Sequence, residues 1–324
     1  MPTFDLSLFS IPFESRINPH HEAVTEASRS WFRSMEFENH EYVMQEYENN
    51  RPCELVARGF PDIGPVELER VTNLTFWFFL LDDGLDQGAK SLPPAAARQR
   101  LERMLSLLRG PADAISPDTA LERSGVSLMT SMLDEMTPRG RTRFLDEIAG
   151  LFSWVSHEVE ARASSGVPDL LSFVRQRRST CAAMVIFRAG EYANHAELPD
   201  AFHQSRLFET LQNCATDVIA MVNDLFSYDK EMLHAESNNY VPVCRHLLEA
   251  PIDESVAFLH RLLASRVNCF QKARKRLKAL IETLAFSAIE QRAIRLFADM
   301  LEHWMRANLD WSLQVPRYND FHQR

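Results

Sequence analysis

Glycine is scarce in this sequence, 10 among 324 residues, and β-branched residues seldom alternate with polar ones. A sheet has little to build on, so most of the chain reads as helix. Positive charge is also short: 35 Lys and Arg stand against 45 Asp and Glu, a formal charge of -10. That balance argues against a nucleic-acid surface. The cysteines, Cys53, Cys181, Cys214, Cys244 and Cys269, are odd in number, scattered and free of CxxC spacing. Neither a disulfide framework nor a zinc site is expected, and a reducing cytoplasm fits. No run approaches the roughly eighteen apolar residues of a membrane span, and "MPTFDLSLFSIPFESR" lacks the basic start and long apolar stretch of a signal peptide. The expectation is a soluble cytoplasmic protein.

What the chain does have is apolar content, 45% of its residues, enough for a sizeable core. Prolines punctuate it where helices begin, in "GPVELER", "SLPPAAARQR", "SPDTALER", "TPRGRTRF", "GVPDLLSF" and "LPDAFHQ". Between them, apolar residues recur at helical spacing, as in Leu101, Met104, Leu105 and Leu108. The pattern predicts an all-α protein of about ten to twelve helices. With no internal repeat and no Gly/Ser-rich linker, residues 1–324 are expected to form one bundle.

One stretch conflicts with a simple core. "FWFFLLDDGLD" runs from Phe76 through six core-type residues into Asp82, Asp83 and Asp86. The segment Pro65 to Asp86 reads as a helix, apolar all round in its second half and therefore internal. Its aspartates fall at the C-terminal end, where the macrodipole is already negative and like charges repel. Something positive must compensate them. Either solvent does so at an exposed helix end, or the acids form a divalent-cation site with Asp82 and Asp86 one turn apart.

A second segment favours the cation. In "MVNDLFSYDKEMLH", Asn223, Ser227 and Glu231 stand at i, i+4 and i+8, so each is turned only about 40° from the last and all share one helix face. All three offer oxygen, the donor that Mg²⁺ and Mn²⁺ prefer. The apolar run "CATDVIAMV" leads into this stripe just as "FWFFLL" leads into the first.

The pair "DDGLD" and "NDLFSYDKE", about 140 residues apart from Asp83 to Asn223, resembles the aspartate-rich and NSE motifs of class I terpene synthases, most like the microbial single-domain type. The resemblance extends to the Asn-Pro-His of "IPFESRINPHHEAV", to an arginine-rich helix midway and to the Arg317–Tyr318 pair in "WSLQVPRYND". It implies an α-helical bundle that ionises an allylic prenyl diphosphate and cyclises the carbocation. The implied cofactor is Mg²⁺, three ions with Mn²⁺ as a substitute, and a homodimer is an open expectation. Farnesyl diphosphate is the expected substrate, with geranylgeranyl diphosphate as its rival.

Carried onto this chain, the resemblance makes Asp82 the main metal ligand of the first motif, with Asp83 and Asp86 assisting. Asn223, Ser227 and Glu231 would hold another ion, and Lys230, Arg317 and Tyr318 would donate hydrogen bonds to the diphosphate. In "RQRRST" the diphosphate-sensing arginine would be Arg177, three residues before Thr180, with Arg178 competing. A glycine is frequent in the family just afterwards, where "TCAAM" stands here, so a carbonyl near Cys181 or Ala182 would have to serve at the helix break. A carbocation calls for walls that stabilise charge without trapping it, as aromatic faces do. The candidates are Phe78 and Phe79, one turn inward from the aspartates, and Trp304, with Phe60, Phe76 and Phe187 behind them.

Three other readings compete. A prenyl-chain elongation enzyme normally carries a second aspartate-rich motif, against which Asn223, Ser227 and Glu231 argue. A ferritin-like di-iron protein needs two Glu-x-x-His pairs, and only Glu231 with His234 qualifies. A non-enzymatic helical module would leave both polar stripes as surface features.

Overall fold

The computed structural model describes residues 9–86, 92–110, 115–163, 168–233 and 238–319. These are helical, in the order α1 (His21–Ser34), α2 (His40–Asn50), α3 (Pro52–Gly59), α4 (Pro65–Asp86), α5 (Pro94–Arg109), α6 (Ala120–Leu133), α7 (Pro138–Ala163) and α8 (Leu170–Thr180). There follow α9 (Ala183–Ala193), α10 (Asp200–His203), α11 (Arg206–Leu233), α12 (Tyr240–Leu248), α13 (Ile252–Thr283), α14 (Ala288–Ser312) and α15 (Pro316–Asn319). The all-α expectation holds. The count is fifteen among the described residues rather than ten to twelve. The single turns α10 and α15 are too short for a helical period to show.

α4 spans the residues the sequence predicts. It packs against α1, α2, α3, α6 and α9, which explains why no exposed polar face survives between Val71 and Leu81: Leu74, Phe76, Trp77, Phe78, Leu80 and Leu81 are all buried. The Trp77 indole is satisfied by the Leu121 carbonyl at 2.9 Å. α11 is the second internal helix, packed against α8, α9, α12, α13 and α14. The Asn-Pro-His segment serves the fold, since Asn18 is buried and donates to the carbonyls of Phe60 and Ile63, each at 2.9 Å. This ties the N-terminal segment to the turn between α3 and α4.

Three proline-marked starts fall later than the prolines, α10 directly behind Pro199. α6 begins behind Thr119 and α8 behind Asp169, whose side chains accept from the first free amides of their helices. Those acceptors fix the helix start, so Pro117 and Pro168 lie outside.

Candidate active site

The C-terminal end of α4 opens onto a cavity of about 740 Å³. Asp82 is exposed at its rim and Asp83 is half-buried. Asp86 closes α4, but its side chain lies outside the described residues, as does His234. The compensating charge that the sequence demands comes from the other end of the chain. Arg317 on α15 places Nη2 3.8 Å from Asp83 Oδ1, and Lys230 of α11 lines the same cavity. Burial lowers Arg317, yet Tyr318 and the acids Asp83, Asp82 and Glu46 more than offset it, so its guanidinium stays charged. Lys230 is lowered by burial and by Arg317, against the pull of Asp83 and Asp82.

Asn223, Ser227 and Glu231 line the cavity from α11, as their spacing predicts. Asn223 Oδ1 accepts from Arg177 Nη2 at 2.9 Å, and its Nδ2 donates to the Tyr318 hydroxyl at 2.7 Å. Ser227 Oγ is buried with no hydrogen-bond partner, and Glu231 Oε2 accepts from Asn239 Nδ2 at 2.9 Å. No group of three His, Cys, Asp or Glu that could hold a metal gathers among the described residues, so any metal site here draws on amide and hydroxyl oxygens. That donor set fits a hard divalent cation: an orphaned buried hydroxyl, a carboxylate and an amide oxygen with a lone pair to spare.

The two candidate arginines of α8 separate. Arg177 lines the cavity and donates through Nε and Nη2 to Asp224 Oδ1, at 3.0 and 2.6 Å. Arg178 instead forms a two-bond pair with Asp217, at 2.6 and 2.8 Å, beside Arg266. Arg175 is exposed. Burial pushes the Asp224 carboxyl up to about 6, with Arg177 opposing. Burial lowers Arg177 in turn, but the Asp224 charge raises it further, so the pair is ionised at neutral pH.

α8 is capped at its C-terminus by Cys181 and α9 starts after Ala182, whose φ of 57° is left-handed. Both residues line the cavity. The backbone conformation that suits glycine is thus kept without one, at a cost of about 1 kcal/mol for the alanine Cβ. Ala182→Gly is therefore expected to stabilise the fold by about 1 kcal/mol, seen as a rise of about 1–2 °C in Tm. An unchanged or lower Tm in a thermal melt would contradict this.

Away from these charged groups the lining is mostly apolar: Phe79 and Trp311 lie nearest the rim, and Leu55, Phe78, Phe152, Ile219 and Trp304 also contribute. Phe79 stacks on Trp311 at 6.2 Å and lies 5.6 Å beneath the Arg317 guanidinium, which places it near the charged rim. Phe60, Phe76 and Phe187 are absent from the lining. Phe60 packs behind Trp304, Phe76 against Phe32 and Tyr47, and Phe187 is buried in the core. They follow the ordinary tendency of phenylalanine.

The sequence reading missed three supporting residues. Asp224 has its partner 47 residues away, although an acid inside an apolar run signals one. Asn239 caps α12 and also donates to Glu231 Oε2 and to the Asp224 carbonyl. Asn50 is fully buried and accepts from Arg317 Nη1 through its side chain and from Trp311 through its carbonyl, each at 2.8 Å, so it docks α15 beside the cavity.

The family model described as terpene synthase family 2, C-terminal metal binding, matches residues 73–268, from the middle of α4 into α13. Pristinol synthase of Streptomyces pristinaespiralis is 26% identical over 322 residues, covering 98% of this chain and 86% of that one. A (-)-beta-caryophyllene synthase ((2E,6E)-farnesyl diphosphate cyclizing) of Saccharothrix espanaensis is 26% identical over 314 residues, covering 96% and 88%. The crystal structure of germacradien-4-ol synthase from Streptomyces citricolor superposes with a TM-score of 0.83 at 22% identity, covering 94% of this chain and 99% of that one, and so shares the fold. The matched segment carries both polar stripes and both candidate arginines of α8, and with it the chain belongs to the metal-binding terpene synthase family as a class I terpene synthase.

Proposed function

We propose that this enzyme takes farnesyl diphosphate, ionises it and cyclises the cation to a sesquiterpene hydrocarbon or alcohol, releasing pyrophosphate. The observation that carries the reading is a cavity that is acidic and cationic at its rim and mostly apolar beneath. Its volume, about 740 Å³, lies inside the range of roughly 300–1,000 Å³ of pockets that enclose small organic ligands. The farnesyl diphosphate named for the Saccharothrix relative supports a C15 substrate over geranylgeranyl diphosphate.

In this reading Asp82, Asn223, Ser227 and Glu231 would hold Mg²⁺, with Asp83 and Asp86 assisting in the first motif. Three Mg²⁺ ions, or Mn²⁺ in their place, would when bound supply Lewis-acid stabilisation of the charge that develops on the departing diphosphate. Arg177, Lys230, Arg317 and Tyr318 donate hydrogen bonds to the diphosphate oxygens. Arg177, Arg317 and Tyr318 are already fixed by Asp224, Asn50 and Asn223, so little reorganisation accompanies ionisation. The distal alkenes then fold into the apolar chamber, where Phe78, Phe79 and Trp304 turn their faces to the cation. Loss of a proton or capture of one water ends the sequence.

The test is incubation of purified enzyme with geranyl, farnesyl and geranylgeranyl diphosphates and Mg²⁺, followed by mass-spectrometric analysis of organic extracts. Farnesyl diphosphate is expected to give the highest turnover. Thorough chelation with EDTA should reduce that turnover to background, and added Mg²⁺ should restore it. Turnover that survives chelation would contradict the assignment of the oxygen donors.

A further inference from the structure

Trp304 owes its position to a residue outside the cavity. Gly59 is buried at the end of α3, one turn beyond Leu55, which lines the chamber. A Cβ at Gly59 would fall 2.4 Å from Trp304 Cε2 and 2.7 Å from Nε1. The indole therefore lies flat on the α3 backbone in space that any other residue would fill. No hydrogen bond anchors the ring, because its buried Nε1 has no partner. Packing alone sets where it stands.

The space behind the ring is closed. Phe60 meets Trp304 edge to face at 5.5 Å, with Phe60 2% and Met300 3% exposed. Both press on Gly190 of α9, where a Cβ would lie 2.1 Å from Met300 Sδ and 3.1 Å from Phe60 Cε1. At this packing density a displaced indole cannot retreat into that layer. Its open side is the cavity. Trp304 also lies deep, because Trp311 stands seven residues further along α14 beside Phe79 and Tyr318 at the rim, a separation of about 10 Å along a helix.

We propose that Gly59 is a specificity-determining residue that acts through Trp304: by lacking a side chain it lets the indole withdraw from the chamber and so sets how long an isoprenoid chain fits. This rests on the functional reading above. The diphosphate is held at the rim, so a raised floor meets the distal end of the chain first. Gly59→Ala is expected to advance the indole, to favour geranyl over farnesyl diphosphate by about tenfold in relative kcat/KM, the effect of roughly one methylene in an apolar pocket, and to enrich acyclic and monocyclic products from farnesyl diphosphate.

The test compares the unsubstituted enzyme, Gly59→Ala, Trp304→Leu and the double variant for the two substrates and their product ratios. In the double variant the added methyl has no indole to push, so its substrate ratio and product profile should match those of Trp304→Leu. A folded Gly59→Ala enzyme with an unaltered substrate ratio and product profile would overturn the proposal. Should Gly59→Ala alone fail to fold, the comparison of the double variant with Trp304→Leu decides: identical profiles support it, and different ones show that Gly59 acts by another route. Absence of turnover of any allylic diphosphate by the unsubstituted enzyme would overturn the functional reading, and this inference with it.

Discussion

Asn223→Ala is expected to lower kcat/KM for the allylic diphosphate by about 10²–10³, the cost of deleting one preorganised charge-stabilising contact. Asn223 is the point where three parts of the site meet: it accepts from Arg177 at 2.9 Å and donates to Tyr318 at 2.7 Å. In the proposed reading its Oδ1 also serves the metal, so alanine removes an oxygen donor and releases the Tyr318 hydroxyl together. The effect on folding should be far smaller. Loss of two hydrogen bonds at a half-buried position amounts to about 1–2 kcal/mol, because Arg177 keeps Asp224 and no buried charge is stranded. Pyrophosphate-release kinetics beside a thermal melt separate the two quantities. Activity within threefold of the parent, or collapse of the helical circular dichroism signal, would contradict this assignment.

Arg177→Lys carries the second large effect. The guanidinium spends Nε and Nη2 on Asp224 and Asn223, while Nη1 makes no hydrogen bond among the described residues. A lysine keeps the charge opposite Asp224 but has no planar fork to hold that carboxylate and a diphosphate oxygen at once. Turnover is expected to fall by about 10² or more, with the fold retained. Arg177→Ala would be a poor probe. It strands the buried Asp224 carboxylate, a loss of about 3–5 kcal/mol that confuses stability with catalysis. Arg178→Lys is the control, because its partner Asp217 lies away from the cavity. It should change kcat/KM by less than about fivefold, because Arg178 and Asp217 are both absent from the cavity lining and the buried Asp217 carboxylate keeps Arg266 at 2.7 Å. If Arg177→Lys is as mild as Arg178→Lys, the diphosphate is sensed elsewhere.

Much of this arrangement can be read in the sequence, for reasons that particular residues make clear. Pro65 and the acids ending at Asp86 bracket α4 because a proline start and an apolar run interrupted by charge are both local signals. The face shared by Asn223, Ser227 and Glu231 is equally local, since helical geometry alone puts them together. The competition between Arg177 and Arg178 is not local. Adjacent residues on a helix point about 100° apart, and only the placement of Asp224 and Asp217 on α11 shows which one faces the cavity. The aromatic wall is half legible for a related reason. α4 is surrounded by neighbours, so its hydrophobic period vanishes; Phe78 and Phe79 are legible only because they lie one turn from Asp82 and Asp83, while nothing local shows that Phe76 packs on Phe32. Asn50 leaves no signal at all, because its partner Arg317 stands 267 residues later.

The central claim is that one allylic diphosphate, held at the acidic and cationic rim, is ionised and closed upon itself in the apolar chamber. The most direct measurement is pyrophosphate release from farnesyl diphosphate with Mg²⁺, run with and without isopentenyl diphosphate and paired with mass-spectrometric identification of the organic products. The account predicts a cyclic hydrocarbon or alcohol from farnesyl diphosphate alone, formed in step with pyrophosphate and unchanged by the second diphosphate. Longer linear prenyl diphosphates, formed only when isopentenyl diphosphate is present, would contradict it.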